Sequence, residues 1–186
     1  MPRSARVVVP EIPHHVIQRG NRRQDVFFSP DDYRMYLSIL KQQSEIDDFI
    51  IHAYCLMKNH IHLIVTPKKK IDLRAIGVVN RRYAYYLNRK MGWSGYLWQG
   101  RFTSYPMDEA YVFEALRYVE INPVAAGICK HPREYRWSSA RQRIDDHHTI
   151  DYKVSPIPTM AVDDWEAYWA DAIARRQMIE DYLAQA

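Results

Sequence analysis

The sequence predicts an α+β fold, a ferredoxin-like sandwich in which an antiparallel sheet carries helices mainly on one face. Three observations lead there. Short runs rich in β-branched and apolar residues alternate with segments of helical periodicity, in the order β, α, β-hairpin, α, β, α. Two of the strand runs are separated by Lys58-Asn59 alone, a spacing that allows a hairpin but no crossover. Of the 186 residues 47 % are hydrophobic and 26 % charged, the balance of a globular protein with one core of ordinary size.

Each element has a local cause. His14 to Gly20 reads as a short strand ended by the turn-forming Gly20-Asn21. Ser29 or Asp31 caps a helix through about Asp47, in which Tyr33, Tyr36, Leu37 and Leu40 recur at helical spacing. Ile50 to Met57 and His60 to Thr66 are the hairpin strands. A second helix, from about Asp72 to Lys90, carries Leu73, Ile76, Val79, Tyr83 and Tyr86 and stops at Gly92. Trp93 to Tyr105 is aromatic and expected to be extended, with Trp98 and Phe102 in the core. Asp108 caps a third helix, expected to end by Asn122 because Pro123 follows. Ile144 to Thr159 then reads as a linker, and Val162 to Leu183 as an amphipathic helix striped by Trp165, Trp169, Ile173, Ile179 and Leu183. The expected division is a domain over residues 1–143 and a linker with an acidic helical appendage over 144–186.

A modest formal charge of +4 hides an asymmetry. Between Lys68 and Met107, nine basic residues (Lys68, Lys69, Lys70, Arg74, Arg81, Arg82, Arg89, Lys90 and Arg101) stand against the single acid Asp72, a net of +8. From Asp145 onward, nine acids stand against Lys153, Arg175 and Arg176, a net of −6. A basic middle suits a surface that meets a polyanion. A solvated charged helix has the same composition, so charge alone does not separate the two. Cys55 and Cys129 are far apart and form no CxxC pair, which argues for a reducing cytoplasm and against a disulfide framework. Met1-Pro-Arg-Ser-Ala-Arg lacks the apolar run of a signal peptide, and no stretch reaches the roughly 20 apolar residues of a membrane span. No membrane partner is expected.

Two constellations bear chemistry. His60-Ile61-His62 opens an apolar strand, where side chains two apart share a face at roughly 7 Å. Two imidazoles so placed can converge on one metal ion, although an isolated His-x-His is more often a surface or hydrogen-bonded pair. On the third helix Val112, Ala115, Leu116 and Val119 form a buried stripe, with Tyr111, Tyr118 and Asn122 along its border. Tyr118 and Asn122 are neighbours at i,i+4 and can serve one site. Asn122 offers a carbonyl oxygen to a metal, and Tyr118 a phenol that becomes a nucleophile when oriented at an electrophile. With 14 tyrosines in the chain, spacing alone does not single out Tyr118.

Resemblance does. Tyr54-Cys-Leu-Met-Lys-Asn-His-Ile-His-Leu-Ile-Val65, Leu97-Trp-Gln-Gly-Arg-Phe102 and Tyr118-Val-Glu-Ile-Asn-Pro-Val124 occur in that order. His14-His-Val-Ile-Gln-Arg-Gly-Asn21 and Tyr135-Arg-Trp-Ser-Ser139 flank them. Together they resemble the REP-associated tyrosine transposases, single-tyrosine members of the HUH class found in bacterial insertion elements. The likeness spans about residues 13 to 140 and departs from the family at Lys58, where proline is frequent.

The resemblance implies an HUH nuclease type of fold and a division of labour. His60 and His62 match the metal-binding histidines, Asn122 the polar ligand and Tyr118 the nucleophile. The implied cofactor is a divalent metal, Mg or Mn, and two imidazoles suit manganese at least as well as magnesium. The implied reaction is transesterification of single-stranded DNA beside a hairpin through a 5′-phosphotyrosine. Arg19, Arg22 and Arg23 around Gly20-Asn21, with Arg74, Arg81, Arg82, Arg89 and Lys90 on the second helix, are the candidate phosphate contacts. Trp93 and Tyr96 are candidates to stack unpaired bases. A non-catalytic DNA- or RNA-binding module would explain the charge and aromatics but not the histidines, Tyr118 and Asn122 together. A zinc hydrolase would need a third His, Cys or carboxylate, for which His52 is the nearest candidate. Mobile and domesticated transposases, and monomer and homodimer, stay open.

Overall fold

The computed structural model describes residues 7–69, 73–144, 154–157, 162–176 and 178. In chain order these form β1 (His14–Arg19), α1 (Pro30–Asp47), β2 (Phe49–Met57), β3 (His60–Pro67), α2 (Arg74–Met91), β4 (Thr103–Pro106), α3 (Glu109–Ala125) and α4 (Trp165–Ala174). The strands make one sheet in the order β2-β3-β1-β4, every neighbouring pair antiparallel. This is the ferredoxin-like arrangement the element order predicts. Local signals hold at several boundaries. Ser29 caps α1 in a capping box with Asp32, and Gly92, at φ +66°, ends α2. Met57 pairs with His60 across the two-residue turn at Lys58-Asn59. Of the stretch 93–105, Thr103–Tyr105 joins the sheet and Trp98 makes an isolated bridge to Gly20, while Trp98 and Phe102 are buried as expected.

The helices do not gather on one face. α1 and α2 cover the face made by Val16, Tyr54, Leu56, Ile61, Leu63 and Val65. The opposite face, with Ala53, Cys55, Met57 and Ile64, is covered by α3, and α4 packs outside it. Period-2 alternation explains both cores at once, since successive residues of β3 alternate between them. The unbroken run Leu63-Ile64-Val65 is the sequence trace of a strand covered on both sides. A bulge lies between Ile51 and Ala53, so that Ile51 and Tyr54 enter the same core. His52, at the bulge, sets Nε2 2.9 Å from Thr66 Oγ1 and Nδ1 3.1 Å from the carbonyl oxygens of Ser155 and Pro156.

Helix α3 runs through Pro123 instead of stopping before it. The proline forfeits one bond to the preceding turn, but Val119, Ile121 and Asn122 are already buried there. The Ala126 and Gly127 amides still donate to the carbonyls of Asn122 and Val124, both at 2.9 Å. Asn122 therefore lies inside the helix, where its i,i+4 relation to Tyr118 is held.

The C-terminal region docks on the sheet domain. Val154 and Ile157 are buried, and the Ser155 amide donates to Ile51 O at 2.9 Å, so this part of the expected linker runs along β2. Trp169 of α4 is fully buried, and the Tyr168 hydroxyl donates to Phe113 O at 2.7 Å. Ile179 and Leu183, expected on the same stripe, lie outside the described residues. Among the described residues no helix is long and apolar enough to cross a membrane.

Candidate active site

Strand register brings the site together. His60 and His62 share the face of β3 that looks toward α3, because Ile61 and Leu63 enter the other core. In β1, Ile17 lies opposite His62 and Arg19 opposite His60, while His15 lies opposite Ile64. Helix α3 is fixed above this face by Val112, Ala115, Leu116 and Val119, all buried, and is capped by Asp108, which accepts the Tyr111 amide at 2.8 Å. That docking turns Tyr118 and Asn122 toward the histidines.

The ring centroids of His60 and His62 are 5.0 Å apart, and Tyr118 stands edge-on to His62 at 5.4 Å. Asn122 reaches both imidazoles: its Nδ2 lies 3.5 Å from His62 Nε2, and its side chain also hydrogen-bonds His60. Tyr118 is half-buried. Four side chains expected from the sequence to act together thus converge from two elements about sixty residues apart. Tyr111, the alternative tyrosine on the helix border, is buried in the core under α3.

Sequence reasoning missed His15. Its ring stacks on His62 at 5.3 Å, lies 6.1 Å from Tyr118, and sets Nε2 3.0 Å from His62 Nδ1. On the turn, Asn59 Oδ1 lies 2.6 Å from His60 Nδ1. Burial drives all three imidazoles toward the neutral form. It holds His15 down to about 4, does the same to His60 with help from the Arg19 charge, and takes His62 well below the usual imidazole range. Neutral imidazole is the form with a lone pair to give a metal.

The donor set fits a divalent ion with open positions: two imidazole nitrogens and one amide oxygen. Among the described residues no three His, Cys, Asp or Glu side chains are placed to hold a metal together. An ion here would depend on the Asn122 oxygen and on ligands brought by substrate and water. The third ligand that a zinc hydrolase would need is not supplied by His52, whose ring nitrogens face Thr66 and the 155–156 backbone.

Basic residues fall into three groups around this centre. Arg19 is exposed at the end of β1, close enough to depress both histidines of the pair. Arg22 and Arg23 are exposed in the following turn with φ of 54° and 60°, and the Arg23 carbonyl accepts from Asn59 Nδ2 at 3.3 Å. Gly20 permits the close approach of this turn, since a Cβ there would stand 2.9 Å from Val26 Cγ1 and collide with the Gln24 carbonyl. Arg74 and Arg81 line a cleft of about 780 Å³ together with Gln18, Asn80, Tyr96 and Arg101. The rest of α2 points elsewhere. Arg82 donates to Gln42 and Gln43 of α1, Arg89 to the Tyr85 hydroxyl, and Lys90 to Ser29 and, at 2.6 Å, to Asp32. Tyr96 is 89 % exposed, whereas Trp93 leans edge-on against Phe28.

A ferredoxin-like sheet with a histidine pair on its central strand, met by a tyrosine from the helix across that face, defines a class of protein by its geometry. The chain belongs to the IS200-like transposase family, whose model matches residues 8–122. Among solved structures it is similar to a REP-associated tyrosine transposase bound to a REP hairpin, with 19 % identity over 88 % of this chain and 98 % of that one. The TM-score of 0.63 makes this a likeness of fold. A candidate transposase from Deinococcus radiodurans R1 also matches, with 22 % identity, 64 % of this chain, 96 % of that one and a TM-score of 0.42. No curated protein matches the chain.

Proposed function

We propose that this transposase acts as a strand transferase on single-stranded DNA beside a hairpin, with Tyr118 as nucleophile, in the manner of the REP-associated branch. The observation that carries the reading is the convergence of His60, His62, Tyr118 and Asn122 on one face of the sheet. Tyr118 Oη attacks the scissile phosphorus and loses its proton to water. The bond from phosphorus to the 3′ oxygen breaks and that oxygen takes a proton from water, leaving a 5′-phosphotyrosine and a 3′-hydroxyl. One phosphoester replaces another, so a second DNA end can reverse the step without ATP. A divalent ion, Mg or Mn, held by His60, His62 and Asn122 would polarise the phosphate and offset charge growing on its oxygens.

The protein's own groups do the rest. Arg19, beside the histidines, suits a phosphate contact at the reacting centre. Arg22 and Arg23 extend the basic rim past the hairpin turn, and the cleft with Arg74, Arg81 and Tyr96 suits an unpaired segment of DNA. A purely binding domain would have no use for a tyrosine and a carboxamide held over two neutral imidazoles.

Incubation of the protein with hairpin DNA and manganese, followed by a denaturing gel, tests the reading. Wild type gives a protein–DNA adduct, and Tyr118→Phe gives none while keeping affinity within a few-fold. EDTA, His60→Ala and His62→Ala each abolish cleavage. An adduct of full yield from Tyr118→Phe, or cleavage undiminished in excess chelator, refutes the nucleophile or the metal respectively.

A further inference from the structure

His62 sets Nε2 3.5 Å from Asn122 Nδ2, Asn122 also hydrogen-bonds His60, and the Nδ1 of each ring meets a different residue. His60 Nδ1 lies 2.6 Å from Asn59 Oδ1. An amide oxygen only accepts, so the proton of the neutral His60 ring sits on Nδ1 and its Nε2 is bare. The orientation of the Asn59 amide follows from its other end, which donates from Nδ2 to the Arg23 carbonyl at 3.3 Å. For His62, the amide nitrogen of Asn122 lies 3.5 Å from Nε2, and an amide nitrogen only donates. The His62 proton is therefore on Nδ1, where His15 Nε2 stands 3.0 Å away as acceptor.

We propose that Asn59 and His15 are positioning residues that fix the tautomers of the histidine pair, each accepting one Nδ1–H so that both Nε2 lone pairs face the space beside Asn122. The inference rests on the proposed use of that space for a divalent ion. Neither residue would touch the ion or the DNA. An imidazole left free to move its proton to Nε2 presents an N–H where a ligand is needed. Outer partners that prevent this are worth about 10–100-fold in metal affinity.

The two partners reach the site by different routes. Asn59 is on the turn between β2 and β3, tied to the Arg22-Arg23 turn. His15 comes from β1, across the strand pair in which His15 lies opposite Ile64 and Ile17 opposite His62. His15 is also fully enclosed, with 2 % of its surface exposed, so no solvent competes for the His62 proton. The arrangement gives each ligand a separate anchor, and losing one should leave the other histidine's tautomer intact.

The test has two readouts. Ring ¹⁵N shifts of the metal-free wild type, from a sample labelled at histidine, report which nitrogen of each ring is protonated. His60 and His62 should both be Nδ1–H with bare Nε2; an Nε2–H tautomer at either refutes the assignment for that residue. Manganese affinity, read from free Mn²⁺ by electron paramagnetic resonance, should fall about 10–100-fold in His15→Phe and in Asn59→Leu. It should return to within a few-fold of wild type in His15→Gln, which supplies an acceptor oxygen in place of the ring nitrogen, and in Asn59→Asp, which keeps one. Undiminished affinity in folded His15→Phe and Asn59→Leu overturns the proposal. Should His15→Phe not fold, the wild-type shifts still decide. A wild type that takes up no manganese refutes the metal reading alone, because the tautomers are measured without metal.

Discussion

Glu120 sits in the middle of the motif that supplies Tyr118 and Asn122, yet it points the other way. Its carboxylate is fully buried and accepts from Arg143 Nε at 2.9 Å, Trp169 Nε1 at 2.9 Å and the Ser139 hydroxyl at 3.2 Å. One side chain of α3 thereby ties the 139–143 turn and α4 to the sheet domain. Glu120→Ala would leave three donors without their acceptor, one of them a nearly buried guanidinium. Breaking a buried ion pair from one side costs about 3–5 kcal/mol. Set against a total stability of roughly 5–15 kcal/mol, that is enough to threaten the fold. At about 2–4 °C per kcal/mol for a chain of this size, Tm should drop by roughly 6–20 °C. Glu120→Gln keeps an acceptor oxygen and should cost less, about 1.5–3 kcal/mol, the range for a hydrogen bond to a charged group. Urea unfolding gives both differences, and adduct formation per folded molecule gives the second half of the test. A glutamine variant as stable as wild type would refute the structural role. One that is fully stable but makes no adduct would place Glu120 in the chemistry instead.

Other expectations follow from the same geometry. Trp169→Ala should lose about 3–5 kcal/mol, read as a lower urea midpoint, because Trp169 fills the second core; an unchanged midpoint would make α4 an ornament of that core. Arg81→Ala should flatten the log–log salt dependence of DNA binding by about one unit, whereas Arg82→Ala, bonded to α1, should leave it unchanged; equal slopes for both would reject the cleft as the DNA path. His15 and His60 are held at about 4 in the fold against about 6.5 when unfolded, so the unfolded chain binds protons first as pH falls. Stability of the metal-free protein should be complete above about pH 6.5 and decline steadily toward pH 4, and a urea midpoint that is flat across that window would contradict it.

Much of this architecture is written locally, and what is not has a common physical origin. The caps at Ser29 and Asp108, the Lys58-Asn59 hairpin and the stop at Gly92 depend on a few adjacent residues, and each is where the sequence puts it. Motif spacing similarly places Tyr118 one turn from Asn122. His15 differs: its partner is 47 residues away, and only the β1–β3 register, a long-range fact, brings the rings together. Alternation along β1 says that His15 and Ile17 share a face but not which strand lies beside them. The same gap hid the second layer of helices. A one-sided sheet reads as alternating apolar and polar positions, whereas β3 reads Leu63-Ile64-Val65 without a break.

Pro123 shows how tertiary contacts reverse a local rule, and why that matters to the site. Before proline the α conformation is disfavoured, so Asn122 taken alone should leave the helix. Had it done so, its amide would no longer stand a full turn beyond Tyr118, and the two could not face one pair of imidazoles. Burial of Val119 and Ile121, which are 0 % and 2 % exposed, holds the last turn against that preference. The Asn122 carbonyl then still receives the Ala126 amide at 2.9 Å, and Gly127, at φ +69°, takes the turn that ends the element. The position of one candidate ligand is therefore set by the apolar packing of the stripe beside it on its own helix. This explains why the site is legible as a motif yet out of reach of propensity: spacing within α3 names the residues, and the core beneath α3 makes the spacing true.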